Sequence, residues 1–138
     1  MENIAYLAGL FDGEGSCSIQ IQRKPRINFN HRMTMSIKYG HEVLSELVKE
    51  FGGKIYYYDD NMARWHLGKK QQMIRAIKLM LPYLKIKKQV CLKFLKALEY
   101  FPDTRSKNYW NKEKSNKVID IAVHLNPQSS QKRFKYNI

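Results

Sequence analysis

Asp12 and Glu14 close the stretch Leu7-Ala8-Gly9-Leu10-Phe11-Asp12-Gly13-Glu14-Gly15, and of these Glu14 is the residue best set to do chemistry. The residues before it read as a short helix over 3–13. Ile4, Leu7, Leu10 and Phe11 recur at helical spacing, Asn3 stands where a cap belongs, and Gly13 and Gly15 stop the helix. Ala5, Gly9 and Gly13 recur every four residues on one face of it. Small residues at that spacing let two helix backbones approach closely. Glycine inside a helix costs about 1 kcal/mol against alanine, so two of them call for a packing reason. Two copies paired about a two-fold axis would bring two Glu14 carboxylates to one spot. Such carboxylates repel unless a cation lies between them, and oxygen ligands suit Mg2+. Ions held in this way serve phosphodiester hydrolysis, binding the attacking and leaving oxygens and activating water.

The elements that must position this helix end follow from periodicity. Cys17, Ile19 and Ile21 alternate with Ser16, Ser18, Gln20, Gln22 and Lys24, which predicts a half-buried strand broken at Pro25. Met33, Met35, Ile37 and Tyr39 alternate with Arg32, Thr34, Ser36 and Lys38 in a second. Residues 42–51 predict a helix ended by Gly52-Gly53. Two more strands form a hairpin, with Lys54, Tyr56 and Tyr58 open on 54–58 and Arg64 and His66 open on the strand after Asp59-Asp60-Asn61. Helices follow over 69–81 and 88–100, the latter with Val90, Leu92, Leu95 and Leu98 inward, and a last short one around 118–125. The order is α-β-β-α-β-β-α-α-α, one α+β domain over residues 1–126 with a basic, flexible tail at 127–138.

The open strand faces hold Ser16, Ser18, Gln20, Gln22, Lys24, Arg32, Thr34, Ser36, Lys38, Lys54, Tyr56, Tyr58, Arg64 and His66, and no acid among them. These are side chains that reach base edges and phosphates. The whole chain carries 25 Lys and Arg against 12 Asp and Glu, a formal charge of +13 over 138 residues. A polyanion relieves that self-repulsion, and nucleic acid is the leading candidate. A membrane partner is disfavoured, since there is no apolar run near 18 residues, no lipidation motif and no basic leader. Cys17 and Cys91 read as small buried hydrophobes in a reducing compartment, with no zinc spacing.

The nonamer at 7–15 resembles the signature of the LAGLIDADG homing endonucleases. The resemblance extends through about residue 100 and takes in Leu81-Pro82-Tyr83-Leu84-Lys85-Ile86-Lys87-Lys88-Gln89, which is similar to the family's loop bearing an active-site lysine. It implies an α-β-β-α-β-β-α fold with a four-stranded antiparallel, saddle-shaped sheet and helices on one face. It implies a site-specific DNA endonuclease using Mg2+ or Mn2+, with Glu14 as metal ligand and the Gly13 carbonyl beside it. Lys87 would stabilise charge developing on phosphate. Asp12 would hold the helix end and the dimer interface with Ala5, Gly9 and Gly13. His41 stands where the family often places a water-orienting polar residue, and the catalytic set is then Glu14, Lys87 and His41. A single motif copy implies a homodimer on double-stranded DNA, at a long pseudo-palindromic site. An intron RNA maturase or an inactive DNA-binding regulator of the same fold is the alternative, with intron RNA as the further partner. Eighteen of the 25 basic residues are Lys and nine Asn occur, which leans to an AT-rich genome. An intracellular location in an organelle, phage or bacterium follows from that reading.

Overall fold

A computed structural model describes residues 2–22, 27–103 and 109–125. Its elements are α1 (Glu2–Glu14), β1 (Gly15–Gln22), β2 (Asn28–Lys38), α2 (His41–Phe51), β3 (Lys54–Tyr57), β4 (Met62–Leu67), α3 (Lys70–Met80), a 3-10 turn (Leu81–Tyr83), α4 (Lys88–Leu98) and α5 (Lys112–Leu125). The expected α+β order holds. The four strands form one antiparallel sheet in the order β1-β2-β4-β3.

Alternation decides which face the helices cover. Cys17, Ile19, Met33, Met35, Ala63, Trp65 and Leu67 are buried on one face of the sheet, against Leu7 and Phe11 of α1, Leu44 and Leu47 of α2, Met73 and Ile77 of α3, and Phe94 of α4. Each Leu, Ile, Phe or Met among them removed from water contributes about 1.5–3 kcal/mol. Trp65, the largest of them, has its indole N–H satisfied by the Gly52 carbonyl at 2.9 Å. Gly53 sits beside that ring at φ +91°, where a Cβ would meet the His66 carbonyl oxygen at 2.5 Å, so no other residue fits without displacing backbone. The two thiols face one another in the core, Cys17 Sγ and Cys91 Sγ 4.0 Å apart, with no disulfide between them.

Several boundaries differ from those read off the pattern. α1 begins before Asn3, which therefore lies inside the helix and does not cap it, and α1 runs through Gly13 to Glu14. β2 starts four residues earlier, at Asn28. Tyr39 is no core residue: it lies past the end of β2 and is 76% exposed. On α4 the buried stripe is Cys91, Phe94, Ala97 and Leu98, with Leu92 exposed. α5 is a 14-residue helix whose polar first half is opened by Asn111: its side-chain oxygen accepts the Lys114 N–H at 2.8 Å and its carbonyl accepts the Ser115 N–H at 2.9 Å. The tail expected at 127–138 lies outside the described residues, as does Lys24.

Candidate active site and nucleic-acid interface

α1 passes into β1 with no intervening residue, because Gly15 is buried hard against the Phe11 ring, where a Cβ has no room. Glu14, the last helical residue, is thereby left exposed at the helix end. Among the described residues nothing hydrogen-bonds or ion-pairs with its carboxylate. Gly9 and Gly13 are exposed too, and a Cβ at either would meet nothing within 4 Å. The protomer itself therefore gives no reason for glycine there. Ala5, on the same stripe, is partly buried.

Asp12 behaves differently. It is buried, and its carboxylate accepts three backbone N–H groups of its own chain: Lys85 and Ile86 at 3.0 Å each on Oδ2, and Lys87 at 2.8 Å on Oδ1. The Lys87 ammonium returns the contact by donating to the Asp12 carbonyl at 2.9 Å. Burial pushes the Asp12 carboxyl up, but the three N–H donors and the Lys87 charge more than offset this, so its pKa falls below the ordinary 3.8. The carboxylate is thus turned inward onto the loop before α4 and away from the exposed stripe of Gly9 and Gly13. Lys87, 75 residues along the chain, is fixed two residues from Glu14.

His41 is the first residue of α2, and its Nδ1 shares a 2.5 Å hydrogen bond with the Tyr57 hydroxyl on β3. β1 and β3 are separated by β2 and β4, three strand spacings or roughly 14 Å. Glu14, Lys87 and His41 share one end of the sheet, but only the first two meet at one helix end.

The face opposite the helices carries the polar set in register. Ser18 stands across from Arg32, and Ser16 across from Thr34, His66 and Lys54 in one row. Ser36, Arg64 and Tyr56 make the next row, beside which Glu14 emerges, and Lys38 the one beyond. Gln20 and Gln22 pair with Asn30 and Asn28, which extend the polar face beyond the run from Arg32 that alternation predicts. Tyr58 follows β3 and stays on the ladder through its N–H to the Met62 carbonyl, 2.9 Å. No described residue on this face is acidic. Arg64 is aimed by Ser36, whose hydroxyl oxygen accepts its Nε–H at 2.8 Å, and by the Tyr58 ring 5.3 Å away. Burial, with Arg32 and Arg64 as neighbours, holds the His66 imidazole below its usual 6.5, hence neutral at pH 7.

Residues 7–101 match the family model described as LAGLIDADG endonuclease. The chain belongs to the LAGLIDADG endonuclease family. A curated relative of this LAGLIDADG endonuclease is the DNA endonuclease I-CreI of Chlamydomonas reinhardtii, 24% identical over 127 residues, 88% of this chain and 74% of that one. Solved structures share the fold. The homing endonuclease I-CvuI, crystallised with an I-CreI target and magnesium, aligns at TM-score 0.80 and 19% identity, over 94% of this chain and 83% of its own. The archaeal intron-encoded homing endonuclease I-Vdi141I, complexed with DNA, aligns at 0.78 and 15%, over 94% and 85%. I-LtrWI, bound to target DNA, aligns at 0.80 and 18% over 99% of this chain but only 49% of its own.

Proposed function

We propose that this LAGLIDADG endonuclease acts as a homodimer that makes a double-strand break at a long pseudo-palindromic DNA site by divalent-metal-dependent phosphodiester hydrolysis. The observation that carries this reading is the end of α1: an unpartnered Glu14 carboxylate beside two glycines with open space over them, with Lys87 latched behind. A second α1 seated on Gly9 and Gly13 gives those glycines their purpose and sets two Glu14 side chains together. The whole of this chain matches about half of I-LtrWI, as one unit of a pair would.

The residues fit a hard divalent cation. Among the described residues no three His, Cys, Asp or Glu cluster, so these residues of one protomer offer no metal cage. Paired Glu14 carboxylates, the Gly13 carbonyls and phosphate oxygens make an all-oxygen donor set of the kind Mg2+ or Mn2+ accepts. The metal, when bound, neutralises phosphate charge and activates water. Asp12 is committed to the 85–87 loop and is left out of this set. Lys87 brings a positive charge to the same helix end for the charge that develops on phosphate. The polar sheet face supports the DNA reading, since its Gln, Asn, Arg, Lys, Ser and Tyr side chains can meet bases and phosphates in the major groove.

Glu14→Gln tests it directly, on a library of randomised duplexes or on DNA from the host locus with Mg2+. Cleavage should be lost while duplex affinity stays within about threefold of the parent. Unchanged cutting by Glu14→Gln, or no cutting of any duplex by the parent protein, overturns the proposal.

A further inference from the structure

A second concave surface lies where β2 runs into α2 and meets the β3–β4 turn. It is a cleft of about 930 Å3 whose walls include Tyr39, His41, Tyr57, Tyr58, Asp60 and Asn61. None of its three tyrosines is among the candidate catalytic residues. Tyr39 is 76% exposed, Tyr57 63% and Tyr58 53%. Three aromatic side chains left that open on one cleft present ring surface to solvent.

The chain holds this arrangement against its own preference. Tyr39 has φ +57°, a left-handed conformation that a bulky L residue rarely adopts, and such outliers concentrate where a site needs them. It is fixed from both ends. Its N–H donates to the Asn61 carbonyl at 2.9 Å, and the Asn61 amide donates to its hydroxyl at 3.3 Å. Tyr57 is fixed by its hydrogen bond to His41, the two rings 5.5 Å apart.

Charge sorts the occupant. Lys38 lies 5.8 Å from the Tyr39 ring centroid and Arg64 5.3 Å from that of Tyr58, so cations flank the mouth. Glu42 and Asp60 line the cleft itself. Phosphate is favoured at the flanks and repelled inside. A planar base with an exocyclic amino group suits the interior, because carboxylates and the Asn61 side-chain oxygen accept from amino groups and aromatic faces stack on bases. A base within a duplex has both faces already stacked and cannot enter.

We propose that this cleft binds an unpaired, amino-bearing nucleobase of a single-stranded nucleic acid, stacked on Tyr39 and Tyr57. The inference rests on the nucleic-acid reading above but not on cleavage. The base could come from single-stranded RNA or from a displaced or extruded DNA nucleotide.

The full chain would be titrated against labelled eight-nucleotide oligomers of A in ribo and deoxy form, of U, and an abasic deoxy control. Oligo(A) should bind at least tenfold more tightly than the abasic strand, and more tightly than oligo(U). Tyr39→Gly should reduce oligo(A) binding about tenfold. It should leave duplex cleavage unchanged and the melting temperature equal or higher, since glycine accepts positive φ, so unfolding cannot account for the loss. Tyr57→Leu should weaken oligo(A) binding to a similar extent. A ribo preference identifies RNA as the source, and equal ribo and deoxy affinity an unpaired DNA base. Equal binding of oligo(A) and the abasic strand, or oligo(A) binding untouched by both variants, overturns the proposal. Loss of duplex cleavage with oligo(A) binding intact would count against the endonuclease reading alone.

Discussion

Asp12→Ala separates the part of the LAGLIDADG motif that latches the 85–87 loop from the part proposed to react. The carboxylate accepts three backbone N–H groups at 2.8–3.0 Å from a buried position. A hydrogen bond to a charged acceptor contributes about 1.5–3 kcal/mol, and a donor left buried without a partner costs about 1–3. Lys85 and Ile86 are exposed, so water replaces much of two of the bonds, while Lys87 is only partly exposed. The expected loss is therefore about 3 kcal/mol, or roughly 10 °C in melting temperature for a chain of this size. Asp12→Asn keeps the shape but loses the charge and turns one amide end toward N–H donors, at a cost of about 1–2 kcal/mol. Both variants free the loop that holds Lys87, and a misplacement near 1 Å costs about a hundredfold in rate. Single-turnover cleavage at saturating DNA should fall by that order, with duplex affinity within about threefold, because Asp12 is buried in its own protomer. The pH dependence has a definite sign. The folded pKa is depressed, so the stabilisation is complete above the unfolded value near 4 and is lost as pH falls through the lower folded value. Calorimetry and single-turnover kinetics measure these effects. Asp12→Ala with parental stability and parental cutting rate would refute the latch.

Gly9→Leu should leave the protomer folded, or more stable by about 1 kcal/mol from helix propensity, since nothing of its own chain lies over Gly9, yet it should shift sedimentation toward the monomer if a second α1 seats there as proposed. Gly53→Ala has no such room beside the His66 carbonyl and needs positive φ, so a loss of about 2–4 kcal/mol in urea denaturation is expected. The His66 pKa, lowered by burial and then by Arg32 and Arg64, makes stability fall as pH drops from 6.5 toward the folded value. Phosphate nearby reverses the balance, so duplex affinity should rise over the same interval, and His66→Asn should flatten both profiles.

Strands were legible because their two-residue period is local, and Cys17, Ile19, Met33 and Met35 went to the buried face as the pattern requires. Tyr39 broke the rule where a left-handed residue ends the ladder, which alternation alone does not signal. On α4 the apolar run Val90–Leu98 supports two overlapping helical stripes, and only packing against β1 and α5 selects Cys91, Phe94, Ala97 and Leu98. The first half of α5 is polar, so it showed no periodicity to read. Within the candidate site, Glu14 and Lys87 could be singled out in advance, but the carboxylate that locks their relative position joins residues 75 apart, and no local pattern carries that.

The register that puts Ser16, Thr34, His66 and Lys54 in one row leaves Cys17, Met33, Trp65 and Ile55 directed to the opposite side. The sheet therefore separates two kinds of selection. Side chains that face outward can be exchanged one at a time without disturbing those that hold the domain together, and a lineage of such proteins could drift from one target to another while its fold stays still. The nonamer at the helix end has no such freedom, since Leu7, Ala8 and Phe11 are buried in the core, Asp12 latches the 85–87 loop, and Gly9, Gly13 and Glu14 are the residues on which the proposed pairing and cleavage depend.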